Sequence, residues 1–156
     1  MFILARYIVV AGGVMSGVGK GVTTASIGKI LLEPTKIYIE AMANISKNFD
    51  AVGFNNTGYG LKNLNRTGEK VEFRIDKPLK PQPIFQLMQK ESKFSDREMY
   101  ETFNMGMGFF VVCKKQDAGK ILQTAKDAEI VGEVRKSDRT VTVLEKNNRK
   151  IVFEGY

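Results

Sequence analysis

Ser95-Asp-Arg-Glu-Met-Tyr-Glu-Thr-Phe-Asn-Met-Gly-Met-Gly-Phe-Phe-Val-Val-Cys-Lys114 holds a helix start, a glycine turn and a buried strand in one short stretch. Ser95 and Glu98 form a Ser-x-x-Glu capping box, each side chain satisfying a backbone N–H that the first turn leaves open, so a helix is expected through about Phe103. Gly106 and Gly108 then give the backbone freedom that other residues lack, and Met107 to Lys114 reads as a buried apolar strand.

Working outward, Gln116 to Asp127 has a helical pattern, with Ala118, Ile121, Leu122 and Ala125 on one side. Strands follow at 129–135, 140–145 and 149–154, the last two joined by the turn residues Asn147-Asn148. Upstream, Lys77-Pro-Leu-Lys-Pro-Gln-Pro83 is a stiff connector, and Pro83 suits the first turn of a helix through Lys90. Val71 to Ile75 alternates as a half-buried strand. Ala51 to Phe54 forms another, followed by the loop Asn55-Asn-Thr-Gly-Tyr-Gly60.

Towards the N-terminus, Thr35 is a reasonable N-cap for a helix through Lys47. Its apolar residues Ile37, Ala41, Met42, Ile45 and Phe49 recur at helical spacing. Glu33-Pro34 ends an earlier helix over about 21–32, because proline removes an N–H and restricts the residue before it. A strand at about 6–11 opens the chain. Its run Ile8-Val9-Val10 suits a strand covered on both faces and pairing in the same sheet as 107–113 or its neighbours. The whole reads as α/β, an α+β two-layer sandwich with a mixed sheet.

The 156 residues correspond to a single domain, 1–156, large enough to bury a core without staples. Met1 to Arg6 is apolar but short and lacks a basic region before it, so it does not read as a signal peptide. No apolar stretch approaches the roughly 20 residues that span a bilayer, which argues against a membrane partner. The single cysteine, Cys113, reads as a buried strand residue and favours a reducing, cytoplasmic setting. The net charge is +7, and its densest part is Arg135, Lys136, Arg139, Lys146, Arg149 and Lys150, diluted by Asp138 and Glu145. There is no tryptophan and no interleaving of aromatic with basic residues, so nucleic acid is not an expected partner. A field that attracts phosphorylated small molecules remains.

Gly12-Gly-Val-Met-Ser-Gly-Val-Gly-Lys-Gly21 lies between the first strand and the first helix, a layout that offers backbone N–H groups and a helix N-terminus to phosphate. Gly13, Ser16, Gly17, Gly19 and Lys20 are the candidate phosphate- or nucleotide-binding residues, with Lys20 as the point charge. The other reading is a tight strand-to-helix turn. The spacing departs from G-x-x-x-x-G-K-[ST], which would have glycine in place of Val14 and a hydroxyl residue in place of Gly21. The hydroxyl that would hold magnesium is thus missing.

Tyr7 to Val22, continued by Ala25-Ser-Ile-Gly-Lys-Ile-Leu31, resembles the N-terminus of CTP synthases, a family that also has glycine after the loop lysine. From Leu32 onward the resemblance is to the C-terminal domain of AIR synthase, phosphoribosylformylglycinamidine cyclo-ligase. It is carried by Leu32-Glu-Pro-Thr-Lys-Ile-Tyr-Ile39, Pro83-Ile-Phe-Gln-Leu-Met-Gln89, Glu98 to Gly108 and Val131-Gly-Glu-Val134, in the family's order. The chain reads as a CTP synthase-like head, 1–31, joined near Leu31 and Leu32 to an AIR synthase-like body, 32–156, an arrangement suggesting a chimera.

The resemblance implies a fold, a reaction and a cleft. The fold is the AIR synthase C-terminal α/β sandwich, with the head supplying its first strand and helix. The reaction is the ATP- and Mg-dependent cyclisation of formylglycinamidine ribonucleotide in purine biosynthesis. In the family a separate N-terminal domain carries most of the nucleotide-binding surface, here possible only in trans, and the enzyme is a homodimer. Thr57, Gly58 and Gly60 match the family's His-x-Thr-Gly-Gly-Gly run, while Asn55 replaces its histidine and Tyr59 one of its glycines. An amide does not titrate, so Asn55 cannot do acid–base work, and Tyr59 is expected to crowd a close backbone approach. Asn104, Gly106 and Gly108 keep the family pattern and would line the substrate cleft. The alternative for Gly106 is a left-handed helix C-cap, and Met105 and Met107 read as packing residues. Catalytic residues are unknown and no metal ligands stand out; with the family's N-terminal domain missing and Asn55 in place of histidine, the chain is expected to be inactive alone. The alternative function is a small P-loop-like nucleotide- or phosphate-binding domain.

Overall fold

The computed structural model describes residues 6–11, 36–125 and 127–155; within 6–11 it describes the backbone and the Tyr7 side chain. The expected helix over 21–32, the Thr35 cap and the first glycine run lie outside the described residues. Among the described residues seven strands form one sheet in the order β2-β4-β1-β5-β3-β6-β7. They are β1 Arg6–Ala11, β2 Ala51–Asn55, β3 Val71–Ile75, β4 Phe109–Lys114, β5 Ala128–Lys136, β6 Val141–Lys146 and β7 Arg149–Glu154. All neighbours run antiparallel except β3 and β6, which are parallel with Arg74 opposite Val143. The sheet is mixed, as expected.

β1 is an interior strand. Its backbone pairs with β4 on one side, Tyr7 opposite Cys113 and Ala11 opposite Phe109, and with β5 on the other. The expected pairing of the first strand with 107–113 is what the structure has. On the β5 side the register shifts between Ile8, opposite Gly132, and Val9, opposite Ile130. Val131 sits at this bulge, and its carbonyl accepts the N–H groups of Asp76 at 3.1 Å and Lys77 at 3.0 Å. Gly132 is needed beside it, because a Cβ there would lie 1.9 Å from the Arg74 carbonyl oxygen.

Helices α1 Ile39–Asn48, α2 Pro83–Ser92, α3 Asp96–Thr102 and α4 Ala118–Thr124, with a 3-10 helix at Gly60–Thr67, pack on this sheet. β4 shows how. Phe110 and Val112 enter a large core with Leu61 and Leu64 of the 3-10 helix, Phe85 of α2 and Met99 and Tyr100 of α3. Val111 and Cys113, pointing the other way as the strand period demands, join Ile45 of α1 and Ala118 and Ile121 of α4. Helical structure therefore covers both faces at β4, within the α/β fold expected. Cys113 is buried, as its setting in the sequence implies.

Local signals set several elements. Both reciprocal bonds of the Ser95–Glu98 capping box are present, Pro83 sits in the first turn of α2, and Asn147 and Asn148 take positive φ in the β6–β7 turn. Three expectations need correction. α1 begins at Ile39 and not just after Thr35, because its entry is fixed by the Tyr38 ring stacked on Phe109 with centroids 5.0 Å apart. Ile37, assigned to the buried face, precedes the helix and is 82% exposed. α4 is shorter than 116–127: Asp117 is still in the turn off β4, its N–H bonded to the Lys114 carbonyl, and Ala125 is already extended.

Candidate functional site

The two glycine-bearing loops expected to line a cleft meet at one end of the sheet. β2 ends with Asn55 opposite Phe109, the first residue of β4. One residue further, the Asn56 N–H donates to the Gly108 carbonyl at 2.9 Å and its side-chain Nδ2 donates to the Met107 carbonyl at 2.8 Å. Asn56 is 1% exposed. Thr57, Gly58 and Gly60 are thereby held beside Asn104, Gly106 and Gly108. β1 also ends here, with Ala11 opposite Phe109. Gly13, Ser16, Gly17, Gly19 and Lys20 lie outside the described residues.

The first loop is shaped from within. The Asn63 side-chain amide, buried in the 3-10 helix, donates to the carbonyls of Gly60 at 2.8 Å, Gly58, and Thr57 at 3.3 Å, and reaches Asn56 Oδ1 at 3.4 Å. The loop is thus wrapped around one amide nitrogen. Tyr59 and the glycines on each side of it all have φ near 50°. Tyr59 itself is 64% exposed. Gly60 is buried against α3, and an added Cβ would fall 1.9 Å from the Tyr100 carbonyl oxygen. Thr57 and Gly58 are exposed.

The second loop is entirely buried from Asn104 to Gly108. Asn104 turns its side chain onto its own loop: Oδ1 accepts the Gly106 N–H at 3.0 Å, and its carbonyl accepts the Met107 N–H at 2.9 Å. This is an Asx turn. Gly106 has φ 87°, but it is not the cap of α3, which ends in extended Phe103. Met105 and Met107 are 2% and 0% exposed and pack in the core, as expected of them. A Cβ on Gly106 would come 2.9 Å from Gln82 Oε1, a buried oxygen with no hydrogen-bond partner among the described residues.

Sequence reasoning missed Asn56, Asn63 and Gln82. Asn56 and Asn63 look like ordinary loop and helix asparagines, and their roles depend on contacts with carbonyls in the folded loop. Gln82 is visible only as the residue before Pro83.

A second polar region lies at the β6–β7 turn. Arg74 pairs with Glu145 at 2.7 Å, Lys150 reaches the same carboxylate at 3.4 Å, and Lys146 pairs with Asp96 at 2.7 Å. Burial works against ionisation of Asp96, but hydrogen bonds from Lys146 and Gln89 and the charges of Lys146 and Arg149 outweigh it and hold its pKa below the ordinary value. Burial, aided by the Asp96 charge, raises the Tyr100 phenol to about 12. Among the described residues no group of three acidic, thiol or imidazole side chains could hold a metal ion, and no helix is long and apolar enough to cross a membrane.

A family model described as the CTP synthase N-terminus matches residues 6–60. It runs past Leu31, through α1 and β2, to Gly60. Phosphoribosylformylglycinamidine cyclo-ligases also resemble the chain. That of Methanosarcina acetivorans is 41% identical over 116 residues, 74% of this chain and 34% of that protein. That of Methanococcus maripaludis is 33% identical over 141 residues, 83% of this chain and 40% of that protein. The chain therefore spans about two fifths or less of the length of these curated relatives. Among solved structures, the hydrogenase maturation protein HypE superposes with a TM-score of 0.67 at 12% identity, covering 97% of this chain and 53% of that one. A chain of the HypE–HypF complex gives 0.60 at 18% identity, covering 96% of this chain and 52% of that one. These two likenesses show the shared fold. The double resemblance read from the sequence, cyclo-ligase over most of the chain and CTP synthase at its start, is what the comparisons find.

Proposed function

We propose that this chain is a cyclo-ligase-related domain that forms one wall of a phosphorylated-substrate cleft and does not complete the reaction by itself. The observation that carries this is the Asn56 clasp, which holds Thr57-Gly58 and the 104–108 turn together at the sheet end where β1 also finishes. In this reading Thr57 and Gly58, the exposed part of the wall, meet the ligand. Asn63 shapes the loop, and the buried Gly60, Asn104, Gly106 and Gly108 set its position.

The reaction implied is ATP-dependent ring closure of formylglycinamidine ribonucleotide, set in the cytoplasm and in purine biosynthesis. Among the described residues no group of three acidic, thiol or imidazole side chains would hold a metal ion without help from a substrate. Asn55, where the resembling enzymes have histidine, supplies no titrating group. An N-terminal domain acting in trans and a homodimeric assembly are the partners this reading calls for. The test is a turnover assay of the purified chain with formylglycinamidine ribonucleotide and ATP. No product above the no-enzyme control is expected; ATP-dependent cyclisation by the chain alone would overturn the reading.

The CTP synthase match over 6–60 favours a second reading, a phosphate binder built on Gly13, Ser16, Gly17, Gly19 and Lys20. Backbone amides and Lys20 recognise phosphate charge without selecting a base. Calorimetric titration should then give similar weak affinities for pyrophosphate, ATP and CTP, all lowered in Lys20→Ala.

A further inference from the structure

A recess of about 470 Å³ lies where the end of β3 meets the β6–β7 turn, far along the sheet order from the β2–β4 loops. Arg74, Lys146, Arg149 and Lys150 contribute four cationic side chains to its wall, against Asp76 and Glu145. Of the two, Glu145 is already engaged, holding Arg74 and Lys150, and Lys146 is held from outside the recess by Asp96. Arg149 is in none of these ion pairs, although its charge acts on Asp96, and the four cations outnumber Asp76, Glu145 and Asp96, so positive charge is left over at the mouth. Arg74 is tied to Glu145 through one terminal nitrogen, and its Nε–H is buried without a partner. A buried donor left unmet is costly, so this edge favours an acceptor. An oxyanion in the recess offers acceptors to this guanidinium edge and to Arg149 together.

We propose that this recess is an anion site that takes the phosphoryl group of a small phosphorylated molecule. Its size matches a small-molecule pocket. Its wall is made of charged and amide side chains with no aromatic face, so it has no platform on which bases of a single strand could stack. Guanidinium groups suit phosphoryl oxygens because their N–H donors form a planar fork. The site is separate from the loops around Asn56 and Asn104 and does not depend on their role.

The experiment is amide NMR of the full chain, titrated at low ionic strength with inorganic phosphate and then pyrophosphate. Saturable shifts are expected at Asn147, Asn148, Arg149 and Lys150, tighter for pyrophosphate and weakened by salt. Arg149→Ala should weaken binding about tenfold, the loss of one charge-assisted hydrogen bond. Its unchanged thermal midpoint, expected because Arg149 is exposed, assigns that loss to binding. Lys20→Ala should leave the shifts in place. The proposal is overturned if these amides do not move, if Arg149→Ala binds like the parent, if Lys20→Ala abolishes the shifts, or if an oligothymidine binds here more tightly than pyrophosphate at equal phosphate concentration.

Discussion

Gly60 lies so close to Tyr100 that a Cβ on it would stand 1.9 Å from the Tyr100 carbonyl oxygen. This contact seats the first glycine loop on α3. Gly60 also has φ 48°, where an L-residue is strained. Gly60→Ala should therefore destabilise the protein by at least about 2 kcal/mol, combining left-handed strain with a clash against backbone. Gly58 has a similar φ of 55° but nothing within 4 Å of an added Cβ, so Gly58→Ala should cost only about 1 kcal/mol. Chemical denaturation of the two variants checks the difference. Equal costs would show that the Tyr100 contact is not what fixes the loop.

Neighbouring asparagines should behave differently. Asn56→Ala leaves the Met107 carbonyl without its side-chain donor in a buried site, which should cost about 1–3 kcal/mol. Asn55 is exposed, and Asn55→Ala should stay within about 0.5 kcal/mol of the parent. Denaturation midpoints decide this. A silent Asn56→Ala would remove the clasp on which the functional proposal stands.

These contrasts show how far the sequence could be read. The strand at 71–75, the capping box at Ser95, the proline entry of α2 and the Asn147-Asn148 turn each follow from residues within one turn of each other, and the structure has them all. The 3-10 helix at Gly60–Thr67 was not legible, because it is held by distant partners. Asn65 Nδ2 donates to the Phe153 carbonyl at 3.0 Å, and Thr142 Oγ1 donates to Asn65 Oδ1 at 2.8 Å. The start of α1 was missed for the same reason, since Tyr38 rests on Phe109. In the candidate site, Thr57, Gly58, Gly60, Asn104, Gly106 and Gly108 could be picked out by resemblance. Asn104 binding its own loop, and Asn56 joining the two loops, required coordinates.

Acid should weaken the link between α3 and the β6–β7 turn. The Asp96 pKa is lowered in the folded protein, so its contribution is present above the unfolded value of about 3.9 and is lost as pH falls through the folded value. The stability difference between the parent and Asp96→Asn should shrink below about pH 4, and should be smaller in high salt because the pair is partly exposed. Urea unfolding across pH 2–7 measures it. A difference that stays constant through that range would show that the charge on Asp96 contributes nothing.

Alkali should act through Cys113. Burial, with the charge of Asp117, raises its thiol to about 11. The thiol is neutral in the fold while the unfolded chain ionises above about pH 8.5, so stability should decline from there until the folded value is reached. At pH 8 a disulfide reagent should modify Cys113 only as fast as the chain opens. Rapid labelling of the native protein, unaffected by denaturant, would contradict its buried setting.

Removing residues 1–30 should abolish cooperative unfolding. The cut takes away β1, which separates β4 from β5 and hydrogen-bonds to both. Two interior strands would be left with open edges, a known route to aggregation. Calorimetry of the truncated chain tests this. A transition as sharp as the parent's, at the same temperature, would make the first strand an appendage.

The position of β1 bears on which sequences could occupy it. A strand clasped from both sides is recognised chiefly by its main chain, whose N–H and C=O groups are the same in every sequence. The berth between β4 and β5 is therefore undemanding about the pedigree of its tenant: any short extended segment with the right alternation and room for the bulge at Val131 can fill it. That permissiveness makes this strand the natural place to divide the protein into two complementing pieces.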